Sequence, residues 1–210
     1  LCLIFIGAAF IAFLEFDAPA MQHLNAPEKL MAALFQSVTT RTAGFNTIDI
    51  GVMRTSSLFL MAILMFIGAS PASTGGGIKT TTFAVMLLAL DAQMQGKNEV
   101  TVYERVIPSD VVLKSFLITA ISATLVALYT FLLTLTEDQD LIKVLFEAAS
   151  AFGTVGLSAN LTPSLSPLGQ LLIISLMFIG RIGPLTLALS VRAPVRRGDV
   201  RYPTTRVLVG

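Results

Sequence analysis

Two tetrapeptides carry the chemistry of this chain. Thr42-Ala43-Gly44-Phe45 and Thr154-Val155-Gly156-Leu157 share one pattern, a threonine, a small or branched residue, a glycine and an apolar residue. The pattern points to coordination by the backbone rather than to catalysis. Glycine tolerates φ > 0 and lets successive carbonyls turn toward an axis. Rings of such carbonyls replace the hydration shell of a cation. No other chemistry competes. The chain has one cysteine, Cys2, and one histidine, His23, which reads as a surface residue. Neither a disulfide nor a Cys/His metal cluster can be assembled from these. No carboxylate cluster lies within the apolar segments, so the residues argue against an enzyme. A net charge of +1 argues against nucleic acid as a partner.

Each tetrapeptide must be held at depth by the segments around it. Hydrophobic residues make up 54% of the chain and charged residues 13%, against about 25% charged in a soluble domain. Long apolar runs must therefore face lipid. They fall at 1–14, 57–90, 111–135 and 168–191. Between them lie two stretches too short to span, 28–40 and 141–152, each ending at a tetrapeptide. The order is span, short helix, loop, span, and it occurs twice. Leu64-Met65-Phe66-Ile67-Gly68 recurs as Leu176-Met177-Phe178-Ile179-Gly180, and both tetrapeptides obey the same offset of about 112 residues. The expected fold is an all-α integral membrane protein with two membrane helix–pore helix–filter loop–membrane helix repeats. The repeats occupy 1–92 and 111–192, with a connector at 93–110 and a basic tail at 193–210. The chain opens on Leu1 inside an apolar run without a signal-peptide pattern, which reads as a cut upstream.

Charge sets the expected orientation. Arg192, Arg196, Arg197, Arg201 and Arg206 follow the last span, and basic residues near span ends mark the cytoplasmic side. The C-terminus and the 93–110 connector are therefore expected in the cytoplasm of a multi-pass plasma-membrane protein. The opposite side carries Glu15, Asp17, Glu28, Asp49, Glu137, Asp138, Asp140 and Glu147. These acids read as a mouth that concentrates cations.

One span is interrupted by Ala69-Ser70-Pro71-Ala72-Ser73-Thr74-Gly75-Gly76-Gly77. Irregular backbone at membrane depth must line a water-filled cavity or be buried in protein. The following Ile78-Lys79-Thr80 does not make a phosphate loop, because Ile78 separates Gly77 from Lys79. Arg181 lies within the last span, where a charge faces a cavity or a partner. At the common offset it falls opposite Ala69. We expect it to border the pore, to donate to carbonyls of the interruption and to raise an electrostatic barrier there. Lys79 is a weaker candidate for that role. Asn160-Leu161-Thr162 matches a glycosylation sequon and reads as incidental so close to the filter.

These segments resemble the Trk/Ktr/HKT superfamily of K⁺ transporters. Residues 37–47, Ser-Val-Thr-Thr-Arg-Thr-Ala-Gly-Phe-Asn-Thr, resemble that family's third pore loop, and 151–158 its fourth. Residues 69–82 look like its gating loop and 178–185 like its final helix. The closing 201–210 is similar to the short tail of Ktr-type membrane subunits. The resemblance implies the last half of a four-repeat, K⁺-channel-like pore. Thr42, Ala43, Gly44, Phe45, Thr154, Val155, Gly156 and Leu157 would bind the ion. Residues 69–77, with Lys79 and Arg181, would gate it. It further implies a missing N-terminal half with the first and second repeats, a homodimeric membrane subunit, and cytoplasmic nucleotide-binding regulatory subunits docking near 91–110 and the tail. The transported ion would be K⁺, with Na⁺ stimulation or symport as in the Ktr branch, and no cofactor would be bound. A Na⁺-conducting member of the superfamily is the alternative. A non-transporting membrane sensor or scaffold is the alternative from another class.

Overall fold

The computed structural model describes residues 1–71, 73–97, 99–102 and 104–183. Ala72, the end of the final helix motif from Pro184 onward, and the basic tail lie outside the described residues. The chain is mainly helical. Its elements are α1 (Cys2–Glu15), α2 (Ala26–Thr39), α3 (Thr55–Phe66), α4 (Thr80–Met94), β1 (Val100–Val102), β2 (Arg105–Ile107), α5 (Ser109–Thr136), α6 (Leu141–Gly153) and α7 (Pro167–Ile182).

Local sequence explains where the short helices start. Asn25 and Glu28 form a capping box at α2, with the Asn25 N–H donating to Glu28 Oε2 at 2.8 Å, and a proline sits in the first turn. At 14 residues α2 is about 21 Å long, and α6 is shorter still. Neither reaches across a hydrocarbon core of about 30 Å. Only α5, with 28 residues, is long and apolar enough to do so by itself among the described residues. Its Ser115, Thr119 and Ser122 hydroxyls donate to carbonyls four residues back, so these three are satisfied within the helix.

The helices α3 and α4 are two pieces of one interrupted run. Ile67 and Ile78 form an isolated parallel bridge, and the Ile78 N–H donates to Phe66 O at 3.2 Å. The chain leaves at Ile67 and returns beside it at Ile78. Everything between is a pinched-off excursion.

Two apolar clusters hold the helices, and α6 belongs to both. Phe146 and Ala149 pack with Ile11, Met61 and Met65 in one cluster. Phe152 and Val144 pack with Leu133 and Leu176 in the other. The ring of Phe152 stacks on Phe66 at 5.9 Å. In contrast, α2 keeps Leu30, Met31, Leu34, Phe35 and Val38 exposed. It meets α1 where Gly7 leaves room: a Cβ there would stand 2.5 Å from Ser37 Oγ, which donates to Ile4 O at 2.7 Å. Small residues let helix backbones approach in this way.

Two expectations are corrected. The fold is mainly helical but not all-α: within the connector β1 and β2 pair antiparallel in the register Val100↔Ile107, Thr101↔Val106, Val102↔Arg105. The β-branched residues Val100, Thr101, Val102, Val106 and Ile107 favour this local pairing, and Glu104 takes φ +62° in the turn. The acidic mouth also loses three members. Glu15, Glu137 and Glu147 are buried. Glu15 accepts from the Arg54 N–H at 2.9 Å and from the Ser57 hydroxyl, at the start of α3. Glu137 accepts from Ser166 Oγ at 2.5 Å and from its N–H at 3.2 Å, at the start of α7. A helix N-terminus leaves unpaired N–H groups that favour an anion. Glu15, at the end of α1, and Glu137, just after α5, thus hold the starts of α3 and α7.

Candidate functional site

The two tetrapeptides have the same backbone. Thr42 and Gly44 take φ +70° and +76°, and Thr154 and Gly156 take +52° and +93°. Glycine adopts this region freely, but a β-branched threonine there is an outlier that its surroundings must impose. The same outlier at the same place in both loops marks one backbone device used twice.

The loops lie against one another. A Cβ on Gly44 would stand 2.2 Å from the Val155 carbonyl oxygen, and one on Gly156 would stand 3.9 Å from Gly44 Cα. Both turns therefore face a common point. On the side of Ile50, Asn160 Nδ2 donates to Asp49 Oδ1 at 3.1 Å and ties the two loop regions together. The Asn160 amide is thus a structural tie in the fold, which the incidental reading of its sequon overlooked.

The helix interruption packs directly against both threonines. A Cβ on Gly75 would lie 2.8 Å from Thr42 Cγ2, and one on Gly76 2.8 Å from Thr154 Cγ2. The Gly76 N–H donates to Thr154 Oγ1 at 2.8 Å. Ala69 and Ser70 begin the excursion: the Thr80 N–H donates to Ala69 O at 3.3 Å, and Ser70 and Ser73 close a turn around Pro71 at 3.2 Å. Gly77 takes φ +71° on the way back.

Three cations hold the carbonyls that the broken helix leaves free. Arg41 Nη1 donates to Ile67 O at 2.6 Å and Gly68 O at 3.1 Å. Lys79 Nζ donates to Gly75 O at 2.6 Å and Ser73 O at 3.2 Å. Arg181 Nη1 donates to Thr74 O. These five carbonyls thus have protein donors, as irregular backbone at membrane depth requires.

Reading the sequence alone missed four residues. Thr39 Oγ1 accepts from the Phe45 N–H at 2.9 Å and donates to Phe45 O at 2.5 Å. Glu147 accepts from the Ser158 hydroxyl and, at 3.0 Å, from Thr162 Oγ1, holding the outgoing limb of the second loop. The other two are Arg41 and Asn160. Arg41 carried a usable signal, being a charge between a short apolar helix and a Thr-x-Gly turn.

Comparison with known proteins agrees with this architecture. Residues 1–196 match the family model for TrkH, described as a cation transport protein. The chain is 44% identical over 201 residues to the Ktr system potassium uptake protein B of Bacillus subtilis, covering 95% of this chain and 45% of that protein. It is 42% identical over 209 residues to the Ktr system potassium uptake protein B of Vibrio alginolyticus, covering 99% and 46%. The fold matches the crystal structure of the potassium transporter TrkH from Vibrio parahaemolyticus with a TM-score of 0.75 at 20% identity, over 92% of this chain and 43% of that one. The chain spans a little under half the length of these relatives. With a family model matched over nearly its whole length and relatives above 40% identity, the chain belongs to the TrkH family of cation transport proteins, which are transporters and not enzymes.

Proposed function

We propose that this chain supplies two quadrants of a gated pore for K⁺ uptake across the plasma membrane. The observation that carries the reading is the meeting of Gly44 and Gly156, each preceded by a threonine at positive φ. Carbonyls of Thr42 to Phe45 and Thr154 to Leu157 would replace the hydration shell of the ion. The short helices α2 and α6 would act as pore helices, aiming the negative ends of their dipoles at it. Two further repeats would close the ring, and the exposed face of α2 is apolar enough to take one of them.

The excursion between α3 and α4 is the proposed gate. It abuts both filter threonines at one end of the candidate path, held by Lys79, Arg41 and Arg181. Movement of Gly75 to Gly77 away from the threonines would open that end. Arg181 would add a barrier to a cation passing there. Ala72 belongs to the same segment. The repeats at 1–92 and 111–192 would form pore units of a homodimer. The 93–110 hairpin and the 193–210 tail would lie in the cytoplasm, where nucleotide-binding regulatory subunits dock. Na⁺ stimulation is part of the same proposal.

Growth rescue tests it. Cells lacking K⁺ uptake receive the full-length protein as wild type or Gly156→Ser. Rescue at low K⁺ by the wild type, sharply weakened in the variant at equal membrane level, is the expected result. Equal rescue by both would remove Gly156 from the filter.

A further inference from the structure

We propose that Thr39, the last residue of α2, is a positioning residue that sets the register of the first filter loop and with it the discrimination between K⁺ and Na⁺. The inference rests on the filter reading above and deepens it. Thr39 lies outside the Thr-x-Gly tetrapeptide and is 1% exposed.

One residue holds three successive loop residues. The Thr39 carbonyl accepts from the Ala43 N–H at 3.2 Å and the Gly44 N–H at 3.4 Å. Its hydroxyl takes the Phe45 N–H at 2.9 Å and gives its proton to Phe45 O at 2.5 Å. A hydroxyl has one proton to donate, and here it is committed to the Phe45 carbonyl. That carbonyl is turned back toward α2. Of the four first-loop carbonyls proposed above for the ion, Phe45 O is thus held back by α2, while those of Thr42, Ala43 and Gly44 accept no hydrogen bond.

The second loop is built the opposite way. Ala151 stands at the position corresponding to Thr39 and has no hydroxyl. Leu157 corresponds to Phe45 and is anchored by its side chain, at 3% exposure, whereas the Phe45 ring is 70% exposed. The first loop therefore depends on the Thr39 hydroxyl where the second depends on apolar burial. Removing that hydroxyl leaves Phe45 with neither anchor within these two repeats. Its peptide can then rotate and change both the number and the spacing of carbonyls offered to the ion. Number and spacing of carbonyls are what distinguish K⁺ from Na⁺ at such a site.

The test uses Thr39→Val, close in shape but without the hydroxyl, and Thr39→Ser, which keeps it, in the full-length protein. Gly156→Ser runs beside them. K⁺ and Na⁺ uptake are measured at matched membrane level. We expect Thr39→Val to lower the K⁺-over-Na⁺ preference about tenfold for the two hydrogen bonds lost, and Thr39→Ser to restore it. Should Thr39→Val fail to reach the membrane, Thr39→Ala removes the hydroxyl without the buried methyl and takes its place. An unchanged ratio in the hydroxyl-free variant, with the ratio lost in Gly156→Ser, overturns the role of Thr39 alone. An unchanged ratio in Gly156→Ser overturns the filter reading on which it rests.

Discussion

The Gly76 N–H donates to the Thr154 hydroxyl at 2.8 Å, joining the interruption of one inner helix to the loop of the other repeat. The two residues are 78 positions apart in sequence. One hydroxyl thus belongs both to the proposed filter and to the docking of the proposed gate. An N–H directed at that oxygen brings partial positive charge to the place where a cation would sit. In the proposed pore, loop docking and ion occupancy there would oppose each other, so whatever favours one would disfavour the other.

Gly76→Ala tests the docking. The added Cβ would stand 2.8 Å from Thr154 Cγ2 and 2.9 Å from Phe152 O. The second of these neighbours is backbone at the end of α6. The loop should be displaced, at a loss of about 1 kcal/mol for the hydrogen bond, which is roughly a fivefold shift toward the open form. Basal K⁺ flux in proteoliposomes should rise by about that factor. An unchanged flux would separate the contact from gating.

Arg181→Ala removes the donor to Thr74 O and a positive charge beside the proposed path. The expected result is faster transport with altered cation affinity. If rate and affinity both match the wild type, Arg181 neither braces the gate nor acts as a barrier. Arg41→Ala should behave differently. It leaves Ile67 O and Gly68 O without their donor, at about 1.5–3 kcal/mol for a charged hydrogen bond. Thermal stability of the purified protein should fall together with activity.

The two filter glycines should not be equivalent. Both have positive φ, so alanine strains each by about 1 kcal/mol. Gly44→Ala also drives a Cβ to 2.2 Å from Val155 O, while at Gly156 the nearest atom is 3.9 Å away. Uptake should be abolished by Gly44→Ala and only reduced by Gly156→Ala. The reverse order would show that the two loops are not arranged around Gly44.

Glu137→Leu leaves the N–H and hydroxyl of Ser166, the residue that caps α7, without their acceptor. Each such hydrogen bond contributes about 1 kcal/mol. Denaturation of the purified variant should come earlier, and its K⁺-over-Na⁺ ratio should be unchanged. A shifted ratio would mean that this end of α7 participates in ion selection.

The readable part of this molecule was local. In 28–45 and again in 141–157 a short apolar stretch leads directly into a Thr-x-Gly turn, and that is enough to expect α2, α6 and the loops after them. The glycine-rich break announced itself because a membrane helix does not tolerate Ser-Thr-Gly-Gly-Gly without a purpose. What escaped was decided by long-range partners. The acceptors of Arg41 lie 26 and 27 residues away, and the partner of Asn160 lies 111 away. Glu15, Glu137 and Glu147 look like mouth acids by type and position. Only their approach to helix starts and loop hydroxyls reveals them as caps and ties. The Thr39 clamp was missed for another reason: its hydroxyl bonds six residues ahead, across a turn whose shape no spacing rule supplies.

The most direct test of the account asks whether the interruption sits in the ion path beneath the filter. Thr42→Cys and Gly75→Cys are combined in a cysteine-free full-length protein, since the Gly75 Cβ position lies 2.8 Å from Thr42 Cγ2, within disulfide reach. The account predicts that oxidation forms the cross-link and stops K⁺ uptake, and that a thiol reductant restores it. Uptake that continues undiminished with the cross-link formed would contradict it.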